Sequence, residues 1–135
     1  MIFGQREDFA IECYHEPISI EAGRVFGRIC VWANNIQFGN INEPACILGT
    51  LQSEFSECLS GLPLLWDTEV DNLSDDDAFD GTNAFLLRSP TGFRILFRLR
   101  NNERGSASIT RSGLVGAIEQ FLSWMAAETP RGAIQ

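Results

Sequence analysis

His15 is the sole histidine of the chain and stands in the run Cys13-Tyr14-His15. Cys30, Cys46 and Cys58 are the remaining soft ligands that folding could bring to it. The four cysteines are separated by 17, 16 and 12 residues and lack the Cys-x-x-Cys pair of a zinc site. A histidine at a strand end is therefore favoured over a zinc ligand. A cysteine nucleophile needs an electropositive setting that lowers its thiol pKa. Each cysteine here has apolar neighbours instead, which predicts buried, reduced thiols and a cytosolic location, although two disulfides are compatible with the count.

The other residues with chemistry to offer are acids. Asp75, Asp76, Asp77 and Asp80 could give oxygen ligands to calcium or magnesium. With Asp75 as position one of an EF-hand loop, position five is Phe79 and the required glycine at six is Asp80, so the pattern fails. A magnesium nuclease that pairs carboxylates with lysine is excluded as well, because all ten basic residues are arginine. Genomic base composition explains that usage; selection for the planar guanidinium fork is the other explanation. Gly23, Gly27 and Gly39 are not spaced as a phosphate-binding loop. No catalytic residue, metal or cofactor is expected.

What remains is charge. Eighteen acids against ten arginines give a net charge of −8, and the imbalance is local. Residues 1–80 carry 15 acids and 3 arginines, a balance of −12, while residues 81–135 carry 3 acids and 7 arginines, a balance of +4. No basic residue lies between Arg28 and Arg88. A negative surface built by the middle third would repel a phosphate backbone and attract a basic protein. Nucleic acid is not expected as a partner. Neither is a membrane: no apolar run approaches the length of a span, and the opening residues do not read as a secretory signal.

These residues need elements to position them. Phe9, Ile11 and Cys13 alternate through a strand over 8–15, and a polar connection is predicted over 16–23. A longer strand follows at 24–33, with Gly27 as a bulge or close-approach point. Asn34-Asn35 predicts a tight turn into a strand at 36–38. Over 44–60 the period changes. Ile47, Leu48, Leu51, Phe55, Cys58 and Leu59 form a helical stripe opposite Glu54 and Glu57. The segment 67–81 has seven acids and no period, and reads as a long exposed loop. A hairpin over 84–100 turns at Ser89-Pro90-Thr91-Gly92, with Phe93, Ile95, Phe97 and Leu99 inward and Arg94, Leu96, Arg98 and Arg100 outward. A strand at 106–110 and a helix capped by Ser112, running to about residue 127, complete the chain. The predicted class is α+β over a single domain, residues 1–135. It is a mainly antiparallel twisted sheet of about five or six strands with two helices on one face.

A basic protein meeting this chain would touch Glu54, Glu57, Asp67, Glu69, Asp71, Asp75, Asp76, Asp77 and Asp80, with Trp66 and Phe79 as anchors. The acids of 67–81 also read as a solvated loop that keeps the protein soluble, and Trp66 as a core residue. Internal pairing of Asp75–Asp80 with Arg88, Arg94, Arg98 or Arg100 is the competing use of that charge.

The sequence also carries Phe3-Gly4, Phe9-Ala10-Ile11-Glu12, Gly23 and Gly27 around an apolar strand, Trp32 before a polar turn, and Ile36-Gln37-Phe38-Gly39-Asn40. Over residues 3–66 it resembles the immunity proteins of bacterial polymorphic-toxin and contact-dependent growth inhibition systems, the immunity protein forty-two-like family among them. That resemblance implies a cytosolic, non-enzymatic protein that binds a cognate toxin domain, commonly a nuclease. A nuclease site that holds phosphates is itself basic and suits an acidic inhibitor. A small acidic secretion chaperone is the rival reading and would be a dimer, whereas a monomer is favoured here. A catalytic role ranks last.

Overall fold

Alternating apolar residues from Phe9 and a β-branched, aromatic run after Arg24 fold the opening third into one long antiparallel hairpin. The computed structural model describes residues 1–21, 24–42, 46–61, 70–72, 83–99 and 101–128. In it β1 (Ile2–Gly4), β2 (Phe9–Glu21), β3 (Arg24–Ala33), β4 (Ile36–Phe38) and β5 (Cys46–Ile47) form the first sheet, in which β4 and β5 both pair with β3. β2 and β3 pair from Phe9 opposite Ala33 to Glu21 opposite Arg24, with a register shift between His15 and Ile20. Residues 16–21 are thus strand, where their polarity predicts a connection. Ile20 and Glu21 rejoin the ladder opposite Val25 and Arg24 beyond that irregularity, a backbone pairing that composition does not announce.

Asn34 and Asn35 make the turn into β4 at φ of 50° and 63°, the left-handed pair that a type I′ hairpin demands. Gly27, opposite His15, is a close-approach point. A Cβ there would collide with the Tyr14 carbonyl oxygen and sit 2.7 Å from Leu48 Cδ1.

The second sheet is a four-stranded antiparallel meander of β6 (Val70–Asn72), β7 (Asn83–Ser89), β8 (Gly92–Arg98) and β9 (Arg104–Ile109). The inward and outward sets of β8 are as the alternation predicts: Phe93 and Ile95 are buried, and Arg94, Leu96 and Arg98 are exposed. Helix α1 spans Leu48–Gly61 and α2 spans Arg111–Glu128. α1 starts four residues later than its period suggests, because Cys46–Ile47 are drawn into β5 beside Phe26 and Gly27. Ile47 is therefore a strand residue.

Thr110, not Ser112, caps α2. Its Oγ1 accepts the Gly113 N–H at 3.0 Å. The carboxylate of Asp8 holds Thr110 in place, taking its backbone N–H at 2.8 Å and its hydroxyl proton.

One cluster of buried residues joins the two helices to the inner faces of both sheets. Phe55 of α1 meets Phe121 of α2 edge-on, ring centroids 5.6 Å apart. Phe38 of the first sheet meets Phe97 of the second at 5.1 Å in the same geometry. The α+β class, the antiparallel pairing and the two helices stand as read, with the strands divided between two sheets.

Candidate partner-binding surfaces

Three of the acidic residues singled out by sequence fall within described elements. α1 turns Leu51, Phe55 and Cys58 to the core and leaves Glu57 exposed among Ser53, Ser56 and Ser60, with Glu54 half-buried at the edge of that face. Asp71 belongs to β6, in register with Leu86. The 67–81 segment is therefore not loop throughout: Val70–Asn72 add an edge strand to β7, a three-residue element too short to impose a period on an acidic run. Trp66, Asp67, Glu69, Asp75, Asp76, Asp77, Phe79 and Asp80 lie outside the described residues, as does Arg100. Arg94 and Arg98 are exposed on the outer side of the second sheet.

Sequence reading missed a polar cluster on the outer side of the first sheet. Since Phe9, Ile11 and Cys13 face the core, Ala10, Glu12 and Tyr14 face away, opposite Trp32, Cys30 and Arg28 of β3. Glu12 is nevertheless buried, at 8% exposure. Its carboxylate accepts the Tyr14 hydroxyl at 2.5 Å, the Trp32 indole N–H at 2.9 Å and Arg6 Nη2 at 3.0 Å. The Cys30 thiol lies 4.0 Å from the same Oε1 that binds Arg6 and Trp32. Arg6 comes from the turn between β1 and β2. Its guanidinium lies over the Trp32 ring, 4.6 Å from the centroid, as a cation–π contact. Ala10, the residue opposite Trp32, leaves room for it.

Burial alone would raise the Glu12 pKa. The hydrogen bonds from Tyr14, Trp32 and Arg6 together outweigh burial and hold it below the usual carboxylate range. Donating to that carboxylate raises the Tyr14 phenol in turn. Burial pushes the thiols of Cys13 and Cys30 up to about 12, with the Glu12 charge adding to the effect at both. Protonated and fully buried, neither thiol is placed for nucleophilic attack. Glu12 spends its acceptors on three donors, so what the cluster does is fix Arg6, Trp32 and Tyr14 in one orientation. Tyr14 is 44% exposed and the Arg6 side chain 45%. Tryptophan, tyrosine and arginine held rigid at a surface are the residue types that anchor protein partners.

A sequence signal for part of this cluster existed. Period two already places Glu12 and Tyr14 on the face away from Phe9. Nothing local announces that Arg6 folds back over Trp32, since the two are 26 residues apart. Among the described residues no group of three His, Cys, Asp or Glu could hold a metal ion, and no helix is long and apolar enough to cross a membrane.

The family model described as Immunity protein 42 matches residues 1–92 of this chain. Among solved structures, the fold is similar to that of CdiI from Burkholderia dolosa AUO158. The TM-score is 0.68 at 14% identity, covering 92% of this chain and 99% of that one. No curated protein matches the sequence.

Proposed function

This chain belongs to the immunity protein 42 family, and from that premise we propose that it binds and neutralises a cognate toxin domain in the cytosol of the producing cell. The partner is a basic domain, a nuclease by charge logic, and the inhibition is non-catalytic. The whole chain acts as one domain. The observation that carries the reading is the family match. The matched residues 1–92 hold 15 of the 18 acids and only 4 of the 10 arginines. A surface of that sign speeds encounter with a basic active site and makes binding salt-sensitive.

The toxin-facing set is Glu54 and Glu57 on α1 together with Trp66, Asp67, Glu69, Asp71, Asp75, Asp76, Asp77, Phe79 and Asp80. The test is co-expression with the toxic domain encoded in the neighbouring reading frame. Growth rescue and a stable complex are expected. Reversing Asp75, Asp76 and Asp77 to lysine lowers affinity and flattens its salt dependence while the fold is retained. Unchanged binding would remove those residues from the interface and leave Glu54 and Glu57 to be reversed next.

A further inference from the structure

The outer face of the second sheet has the opposite sign to the rest of the molecule. β8 presents Arg94, Leu96 and Arg98 outward in alternation, all exposed. Leu96 lies opposite Phe85 of β7, and each is 37% exposed. Arg98 lies opposite Arg104 of β9. Between these residues runs a groove of about 410 Å³ lined by Asn83, Phe85, Leu96, Phe97, Arg98 and Arg104.

Two features of this face work against the isolated fold. Like charges directly opposite each other across antiparallel strands repel, and Arg98 and Arg104 are such a pair. Among the described residues neither has an ion-pair partner. Phe85 and Leu96, directly opposite one another, also leave apolar surface in water beside them. Both costs vanish under one kind of occupant: a carboxylate that bridges the two guanidinium forks while an apolar side chain covers Phe85 and Leu96.

We propose that this face, built on the Arg98–Arg104 pair and the Phe85–Leu96 pair, is a docking site for an acidic polypeptide segment that carries an apolar residue. It goes beyond the reading above, which places a basic partner on the acidic side, and all four residues but Phe85 lie outside the family-matched stretch. A polypeptide is favoured over nucleic acid because the exposed pair offers one aromatic ring beside an aliphatic side chain, not a row of stacking platforms.

The test uses the full chain and a short fluorescein-labelled peptide of alternating glutamate and leucine, followed by anisotropy at low and physiological salt. Saturable, salt-sensitive binding is expected. Arg98→Glu turns the repelling pair into an attracting one with Arg104, so it retains the fold while weakening peptide binding about tenfold or more. Phe85→Ser weakens it independently of salt. Four results overturn the proposal. One is undiminished binding to Arg98→Glu, and a second is equal binding of a lysine–leucine peptide. A third is binding of oligothymidine in place of the acidic peptide. The fourth is peptide binding that appears only after Asp75, Asp76 and Asp77 are changed to Asn, which would make the chain's own carboxylates the occupant.

Discussion

The side-chain amide of Asn34 pairs with the backbone of Ser108 as a strand neighbour would: Nδ2 donates to the Ser108 carbonyl at 2.7 Å, and Oδ1 accepts the Ser108 N–H at 3.1 Å. The turn between β3 and β4 thereby joins the first sheet to β9 of the second. Only a primary amide offers a donor and an acceptor at that spacing, and Asn34 also tolerates the left-handed φ of 50°.

Replacing Asn34 separates those two roles. Asn34→Gly keeps the turn and loses both bonds, costing about 1–2 kcal/mol. Asn34→Ala loses the bonds and adds backbone strain, costing about 1 kcal/mol more. Urea denaturation of the two variants measures the difference, and equal midpoints would show that the turn conformation contributes nothing.

Glu12 gives the fold an acid-sensitive component. Its folded-state pKa lies below its unfolded value, so its contribution is complete above the ordinary glutamate value of about 4.3 and is lost as pH falls through the depressed folded value. Glu12→Gln cannot titrate. Its stability deficit against the parent is therefore expected to shrink steadily on acidification below about pH 4, as read from urea midpoints at neutral and acid pH. Glu12→Ala is more damaging, about 2–3 kcal/mol, because it strands the Trp32 and Tyr14 donors as well as Arg6.

Gly27→Ala tests the close approach of α1 to the long hairpin. The added Cβ meets the Tyr14 carbonyl oxygen and Leu48 Cδ1, so β2 and β3 must separate or α1 must shift. A loss of about 1–3 kcal/mol is expected in thermal or denaturant melts. Gly49, on the same helix with nothing within 4 Å of its would-be Cβ, supplies the control in Gly49→Ala.

Arg98→Glu should raise stability. Exchanging a like-charge cross-strand pair for an opposite-charge one favours the fold by about 0.2–1 kcal/mol. A higher melting temperature at low salt, converging on that of the parent at high salt, is the expected result.

Local chemistry made much of this legible in advance. The Asn34-Asn35 turn, the Ser89–Gly92 hairpin and the helical stripes through Leu51, Phe55 and Ile118, Phe121 are each written within a few residues. What escaped depends on distant partners. β5 and β6 exist because β3 and β7 offer them an edge. Glu12 is buried because Arg6, Tyr14 and Trp32 close over it. Ser112 has the right chemistry for a cap, but Asp8 fixes Thr110 in that role. The acidic set was found by composition, which counts charges and does not place them; of its nine acids three fall within described elements, Glu54 and Glu57 on α1 and Asp71 on β6.

The Asp8–Thr110 contact spans 102 residues of sequence and the Asn34–Ser108 contact 74. Contacts of such range must wait for large loops to close, which slows folding relative to a helical bundle built on local contacts. β1 and β2 leave the ribosome before α2, so the N-terminal anchor of α2 is made long before the helix that needs it. Until β1 and β2 have found each other, α2 begins without the Asp8 carboxylate that sets its first turn.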